Sequence, residues 1–350
     1  VAALVGEAFS RLSANAQKIM QALAIYNRPV SPAAVDYLLQ PHLPEIDSAA
    51  ILKRLVNMHF ARYDGGRFYL HPVDYEYALG LIPEKDLNTK STKVSKDAKE
   101  RKVKSEDPLE TLEALLAKTK DKNTSLFTRH ALCSRAADYF SHARKPRAEW
   151  KNLADLNAQL AEFDLRCAAG DYDTAASVLT GIDGHYLLLW GHYHLVINLH
   201  KKISNEISSP YTQIDSLNRL DIAHRSIGNT KEALKYLEQG LEITREIKSR
   251  KSEGAFLGNL GLAYAALGDA RKAIDYYEQA LTIAREIGDK RGEGAALGNL
   301  GNRYAALGDA GKAIEYYEQA LSIAREIGDK RGEGVNIGRI GLVHQSQVKG

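Results

Sequence analysis

The chain has 350 residues, 44% of them hydrophobic, and a formal net charge of +3 from 47 Lys and Arg against 44 Asp and Glu. That length exceeds what one compact core serves well, so two or three units are expected, and a near-neutral balance calls for neither nucleic acid nor a membrane surface as partner. No stretch approaches the roughly 18 apolar residues of a membrane span; the longest, Tyr186–Trp190, falls far short, and the opening VAALVGEAF lacks the charged leader and cleavage site of a signal peptide. The chain opens without Met, which reads as a fragment or processed piece. Two cysteines far apart, Cys133 and Cys167, point to a reducing cytoplasm and away from a disulfide framework.

Residues 9–80 start with three helices. Ser13–Tyr26 is amphipathic, Pro32–Leu39 is shorter and follows Ser31 as its cap, and a third runs from Ser48, read as its cap, to about Phe60 with Ile51, Leu52, Leu55 and Val56 apolar. ARYDGGRFYLHP then alternates around Asp64-Gly65-Gly66, a hairpin signal. Three helices followed by a two-stranded wing make a winged helix, assigned to residues 1–81. A DNA-binding face must be basic to neutralise phosphates. Here seven Lys and Arg meet seven Asp and Glu, and Glu45 and Asp47 sit beside the start of the would-be recognition helix. A DNA-binding regulator is therefore the weakest of the readings kept.

The run Phe68-Tyr69-Leu70-His71-Pro72-Val73-Asp74-Tyr75-Glu76-Tyr77-Ala78 resembles the end of the winged-helix domain in STAND-class, NB-ARC-like regulatory NTPases. In those proteins a strand ends in Leu/Met-His-Asp before a helix. The resemblance implies that His71 reaches the β-phosphate of ADP and helps hold a switched-off form; Pro72 stands where the family has an acid. The residues alone leave open a histidine that caps the strand and packs under the last helix. No GxxxxGK[ST] occurs in the chain, so the NTPase domain, with its ADP or ATP, is expected upstream, and no cofactor is expected in this chain.

Residues 82–107 hold 14 charges in 26 positions, eight basic and six acidic, and no aromatic residue. They read as a solvated flexible linker. Helices resume near Pro108: Phe127–Ala143, Leu153–Ala169 and Tyr172–Leu179 look like antiparallel pairs, and Ala169-Gly170-Asp171 followed by Ala175 hints at a repeat seen more clearly downstream. Residues 108–212 are read as a helical adaptor of degenerate hairpins. The tract HARKPRAEWKNL adds a weaker resemblance to sequence preceding such arrays in bacterial STAND proteins.

From residue 213 a 40-residue period governs the chain. Residues 295–334 match 255–294 at 34 of 40 positions, 215–254 match at 15 of 40, and 335–350 begin another copy. In the 255–294 copy, Leu257, Leu260, Gly261, Tyr264 and Leu267 mark one helical face. Gly268 closes that helix in the left-handed conformation, and Asp269 caps the next. Ala273, Ile274, Tyr277, Ala280, Leu281, Ala284 and Ile287 form the buried stripe of the second helix. The segment 288–294 reads as a polar loop. Gly261 and Ala273 lack bulk where the helices approach, and the tyrosines fill the space beside them. In 215–254, Asp221, His224 and Gly240 replace Gly, Tyr and Ala, which reads as a worn copy.

The pattern of Asn259, Leu260, Gly261, Tyr264, Gly268, Asp269, Ala273, Tyr277 and Ala280 resembles the tetratricopeptide repeat. The resemblance implies a mainly α fold in which helix pairs, unable to bury their faces alone, stack into a right-handed α–α superhelix. It also implies an inner wall facing a protein or peptide ligand, formed by Asn218, Ile222 and Arg225, then Asn259, Leu262 and Ala266, then Asn299, Asn302 and Ala306. The alternative for the asparagines is bonding to neighbouring backbone.

His185, His192, His194 and His200 do not converge at metal-ligand spacing on a helix, and packing histidines are the preferred reading. No HExxH, nucleophile elbow or phosphate loop appears, so the chain is not expected to be an enzyme. Together the resemblances imply the sensing and autoregulatory arm of a bacterial, innate immunity-like STAND protein, whose ligand releases the grip on ADP and permits oligomerisation. A constitutive scaffold without switching is the first alternative.

Overall fold

The computed structural model describes residues 2–84 and 127–349. The chain divides into two compact units, Val1–Val178 and Leu179–Gly350, a boundary that falls inside the stretch read as an adaptor. The expected linker lies, from residue 85 onward, outside the described residues, as do residues 108–126.

In the first unit, helices α1 (Ala2–Ser10), α2 (Ala14–Tyr26), α3 (Pro32–Leu39) and α4 (Ser48–Asn57) precede strands β1 (Ala61–Asp64) and β2 (Arg67–Leu70) and helix α5 (Pro72–Gly80). Helix α2 is the centre: Ile19, Met20, Leu23 and Tyr26 are essentially inaccessible, as expected for a helix that is apolar on most sides. Tyr26 escapes an unpaired hydroxyl by donating to the Ala34 carbonyl at 2.7 Å. The hairpin pairs Ala61 with Leu70 and Asp64 with Arg67, and Gly65 and Gly66 supply the positive φ its tight turn requires. A backbone exchange between Val30 and Phe68, at 3.0 and 2.8 Å, ties the hairpin to the helices.

The cap of α4 differs from expectation. Asp47 accepts from Ala49 N at 3.0 Å, whereas Ser48 is buried in the first turn, donating through N to Asp36 and through Oγ to the Pro32 carbonyl. Ser31 occupies the cap position of α3 without a side-chain bond to its backbone. The unit continues with α6 (Arg129–His142), α7 (Asn157–Ala168) and α8 (Tyr172–Thr180). Helix α6 lays Ala136 and Ala137, both fully buried, into the core it shares with α2 and α3. Cys133 and Cys167 are buried; burial pushes the Cys133 thiol up to about 11.

The second unit begins with a π turn at Asp183–Leu187 and α9 (Tyr193–Ile203). Seven helices follow with the expected period: α10 (Pro210–Ser226), α11 (Thr230–Glu246), α12 (Arg250–Ala266), α13 (Ala270–Glu286), α14 (Lys290–Ala306), α15 (Ala310–Glu326) and α16 (Lys330–Lys349). Each packs on the next, consistent with an α–α superhelix. Gly268 closes α12 at φ +82°, and Asp269 caps α13 through Lys272 N at 3.1 Å.

The segment 288–294 is not a loop. Only Gly288 and Asp289 turn; α14 starts at Lys290 with Asp289 accepting from Gly292 N at 2.9 Å. Gly292 is small for that cap, since a Cβ there would stand 2.6 Å from the Asp289 carboxylate. Wear in the 215–254 copy also proves to be compensated. Gly240 leaves room for Phe256, where the residues one repeat later are Ala280 and Ala296; Asp221, in the place of Gly261, stands in the copy whose Leu237 is shorter than Tyr277.

Pairing within the hairpins of the 255–294 and 295–334 copies depends on close approach. A Cβ at Gly261 would lie 2.4 Å from Tyr277, and one at Gly301 would lie 2.5 Å from Tyr317, but Gly341 has nothing within 4 Å. Gly261→Ala should therefore cost about 1–3 kcal/mol through overpacking, while Gly341→Ala should be neutral or stabilising by up to about 1 kcal/mol from helix propensity. Thermal melts of the two variants check this, and equal melting temperatures would contradict the packing described.

Candidate functional site

The first helices of successive pairs, α12, α14 and α16, form the walls of two adjoining clefts, with second helices α13 and α15 beneath. One, of about 300 Å³, is lined by Gly254, Gly258, Asn259 and Leu262 on one side and Ala295 and Asn299 on the other. The next, of about 320 Å³, carries Gly294, Gly298 and Asn299 opposite Val335 and Arg339. The two share Ala295 and Asn299, and their walls correspond at a 40-residue step. Glycine and alanine at these positions strip the helix surface nearly to backbone, leaving room for an extended chain while asparagines offer both a donor and an acceptor.

Of the expected inner-wall residues, Asn259, Leu262 and Asn299 line these clefts, and Leu262 is 38% exposed. Asn302 lines a third cleft and accepts from the Tyr317 hydroxyl at 2.9 Å. Asn259 Nδ2 donates to Asn218 Oδ1 at 3.0 Å, so these two asparagines bond each other from successive repeats and not the backbone. Ile222 is half-buried, and Ala266 and Ala306 are exposed, but none of the three lines the two clefts. Arg225 is held in a bidentate pair by Asp221, at 2.6 and 2.8 Å; Asp221 is fully buried, and burial pushes its carboxyl up despite the guanidinium.

His71 is exposed and sits at the N-cap of α5, its Nδ1 accepting from Val73 N at 3.5 Å. It caps the helix, not the strand, and does not pack beneath it. Beside it, burial pushes the Asp74 carboxyl up, opposed by His71 and Arg62.

The histidine-rich stretch holds a buried set that sequence spacing did not reveal. His200 Nδ1 lies 2.9 Å from Ser216 Oγ, and Nε2 lies 3.1 Å from Oδ2 of Asp183, whose Oδ1 meets Arg219. Ser216, His200 and Asp183 are each at most 3% exposed, so no substrate reaches the hydroxyl and the set ties the π turn to α9 and α10. Among the described residues no group of three or more His, Cys, Asp or Glu is arranged to hold a metal, and no helix is long and apolar enough to cross a membrane.

His224 is 4% exposed, stacked on Tyr236 at 5.3 Å between ring centroids, with neither nitrogen bonded. Tyr264 on Tyr276 and Tyr304 on Tyr316 repeat the stack. Burial lowers the His224 pKa below its ordinary 6.5, with Lys201 adding to the effect.

Stacked antiparallel helix pairs with a groove along their first helices define a helical-repeat recognition module. The chain carries tetratricopeptide repeats: family models described as tetratricopeptide repeat match residues 252–326 and 214–247. No curated protein matches the chain. Among solved structures, it is similar to aspartyl phosphate phosphatase F from Bacillus subtilis at 12% identity, covering 95% of this chain and 80% of that one with a TM-score of 0.50. It is also similar to a Signal Transduction ATPase with Numerous Domains (STAND) protein with a tetratricopeptide repeat sensor from Pyrococcus horikoshii, at 14% identity, 99% and 50% coverage and a TM-score of 0.39. A Rap protein complexed with Competence and Sporulation Factor matches at 17% identity, 69% and 70% coverage and a TM-score of 0.43. The chain spans half the length of the Pyrococcus protein. At 12% identity the likeness to the Bacillus protein is one of fold alone.

A depressed histidine pKa means that the native state binds fewer protons than the unfolded chain as pH falls through about 6.5, so stability falls with it. His224→Tyr, the residue found at 264 and 304, should reduce the loss of stability between about pH 7.5 and 5.5. Urea midpoints across that range check this, and identical pH slopes would remove the assignment.

Proposed function

We propose that the repeat array binds a protein or peptide in the groove along α12, α14 and α16, and that the chain serves as the sensing arm of a STAND-class regulatory NTPase. The observation that carries the binding reading is the recurrence of one cleft at successive repeats, each walled by Gly, Ala and Asn. A surface built by repetition suits a ligand that is itself extended along the stack. In this reading the chain performs no catalysis. Residues 1–81 act as a winged helix, and His71 bonds the β-phosphate of ADP held by an NTPase domain ahead of residue 1. Exposure of His71 immediately after β2 leaves its ring available for that contact. Ligand binding turns the protein on only by preferring the state in which that grip is released and oligomerisation is permitted.

Two measurements test these parts separately. Peptides selected against the chain from a displayed library should lose about tenfold or more in affinity when Leu262→Arg fills the groove, with the melting temperature unchanged; indifference to that substitution would remove the groove. In the longer polypeptide carrying the NTPase domain, His71→Ala should speed ADP release by roughly ten- to a hundredfold, the equivalent of about 1.5–3 kcal/mol from a charge-assisted hydrogen bond. Unchanged ADP retention would end the regulatory reading and leave the binding array, in the form of a constitutive scaffold.

A further inference from the structure

Carboxylates satisfy most of the arginines in the second unit. Among the described residues five meet none: Arg271, Arg291, Arg303, Arg331 and Arg339. Four of these five, all but Arg271, line two clefts that meet at Arg339. One is the 320 Å³ cleft between α14 and α16; the other, of about 480 Å³, adjoins it and is lined by Arg303, Asn302, Tyr317 and Leu342. The only acid lining either is Asp329, whose Oδ1 is engaged by Gly332 N at 2.9 Å. Lys290, the remaining cation, is tied to Glu293 and Glu326.

Two details show that this trough is organised. The Arg339 guanidinium lies over the Tyr317 ring at 5.7 Å, in space that Gly298 leaves free, because a Cβ there would stand 3.1 Å from it. Asn336, 6% exposed, also lines the trough, and its Oδ1 has no hydrogen-bond partner. A buried amide oxygen without a donor is costly, and an occupant that brings an N–H relieves it.

Three of these groups are absent from the preceding repeat. Forty residues earlier, Arg303, Asn336 and Arg339 are Ala263, Ala296 and Asn299, and the corresponding cleft is lined by one cation, Lys251, and one acid, Asp289. Where copies match at 34 of 40 positions, the change of Ala263 to Arg303 is among the few departures.

We propose that this trough binds an acidic segment of extended peptide, its carboxylates held by Arg291, Arg303, Arg331 and Arg339 and a backbone N–H donated to Asn336 Oδ1. This rests on the groove reading above and names its partner class. Arginine forks match carboxylates in pairs of parallel bonds. A nucleic-acid backbone would satisfy the arginines, but its phosphates bring no donor for the buried Asn336 oxygen.

The experiment is fluorescence anisotropy on the whole chain with a labelled peptide of alternating Glu and Ala, its Gln/Ala counterpart, and single-stranded oligothymidylate of equal charge. The acidic peptide should bind about tenfold or more tightly than the neutral one and than the oligonucleotide. The double variant Arg331→Gln, Arg339→Gln should weaken it about tenfold, whereas Arg271→Gln, an unpaired arginine outside the trough, should leave it unchanged. Asn336→Leu should weaken the peptide and not the oligonucleotide. Equal loss with Arg271→Gln, or tighter binding of the oligonucleotide, would overturn the proposal. Library-selected peptides that need Leu262 and ignore these arginines would also overturn it while leaving the groove intact; with no peptide of either kind bound, both readings fall.

Discussion

In the two near-identical hairpins of the second unit a tyrosine ring from one helix lies against the bare Cα of a glycine on the other, Tyr277 on Gly261 and Tyr317 on Gly301. That contact sets how near two helices come, and everything else in the array follows from the distance. A pair held this closely still leaves Leu257, Leu260 and Ile283 needing neighbours, and they find them in a cluster that also takes residues from α10 and α11. Burial is thus completed only by stacking, and stacking places first helices side by side to wall the clefts. Register between pairs is reinforced by a recurring ion pair from the end of a second helix to the next first helix: Arg245 to Glu253, Arg285 to Glu293 and Arg325 to Glu333, at 2.9–3.0 Å. These exposed arginines add little energy individually, but because they recur every 40 residues they favour one alignment over a slipped one.

The 215–254 copy shows how much can change while the architecture holds. Gly to Asp at 221 would be ruinous opposite a tyrosine; opposite the shorter Leu237, with Arg225 one turn away to neutralise the charge, it is accommodated. Gly240 and Phe256 trade volume in the same spirit. Lys248 takes a left-handed φ of +56° where later copies have Gly288 and Gly328, a strain of roughly 1–2 kcal/mol that the more regular repeats avoid. Asp221 and Gly240 are thus each half of a matched change whose other half lies elsewhere in the chain.

Periodicity made the array legible. Leucine and tyrosine at helical spacing, with Gly268-Asp269 between them, are local signals with direct structural causes, and the hairpin at Asp64-Gly65-Gly66 is another. Boundaries were harder. The glycines of 288–294 read as loop because Gly is ordinarily unfavourable in a helix, yet Gly292 clears space for the Asp289 cap and Gly294 for Ile323. Ser48 reads as a cap because serine is a favoured cap residue, and nothing local announces that Asp36 and Pro32 bury it. The inner wall was legible as a face and not as a set of free groups: Arg225 is spoken for by Asp221, Asn259 by Asn218, and Asn302 by Tyr317. Such pairings depend on the rotamers of residues one turn or one repeat away, which a spacing rule does not contain.

Copies that match at 34 of 40 positions would by themselves wall a uniform groove. The lining residues show otherwise, because a repeat array acquires a distinct site most economically by altering the few positions that face the groove while leaving the packing positions alone. Gly301, Tyr317, Ala313 and Ala320 are conserved from the preceding copy and maintain the fold, whereas 303, 336 and 339 differ, and all three point into one trough. Asn336 is the most telling of these. An alanine there, as at 296, would have kept the interior dry and satisfied; an asparagine with an unbonded oxygen lowers the stability of the empty array and raises the return on filling it. Recognition in this chain is therefore to be sought where the repeat departs from itself.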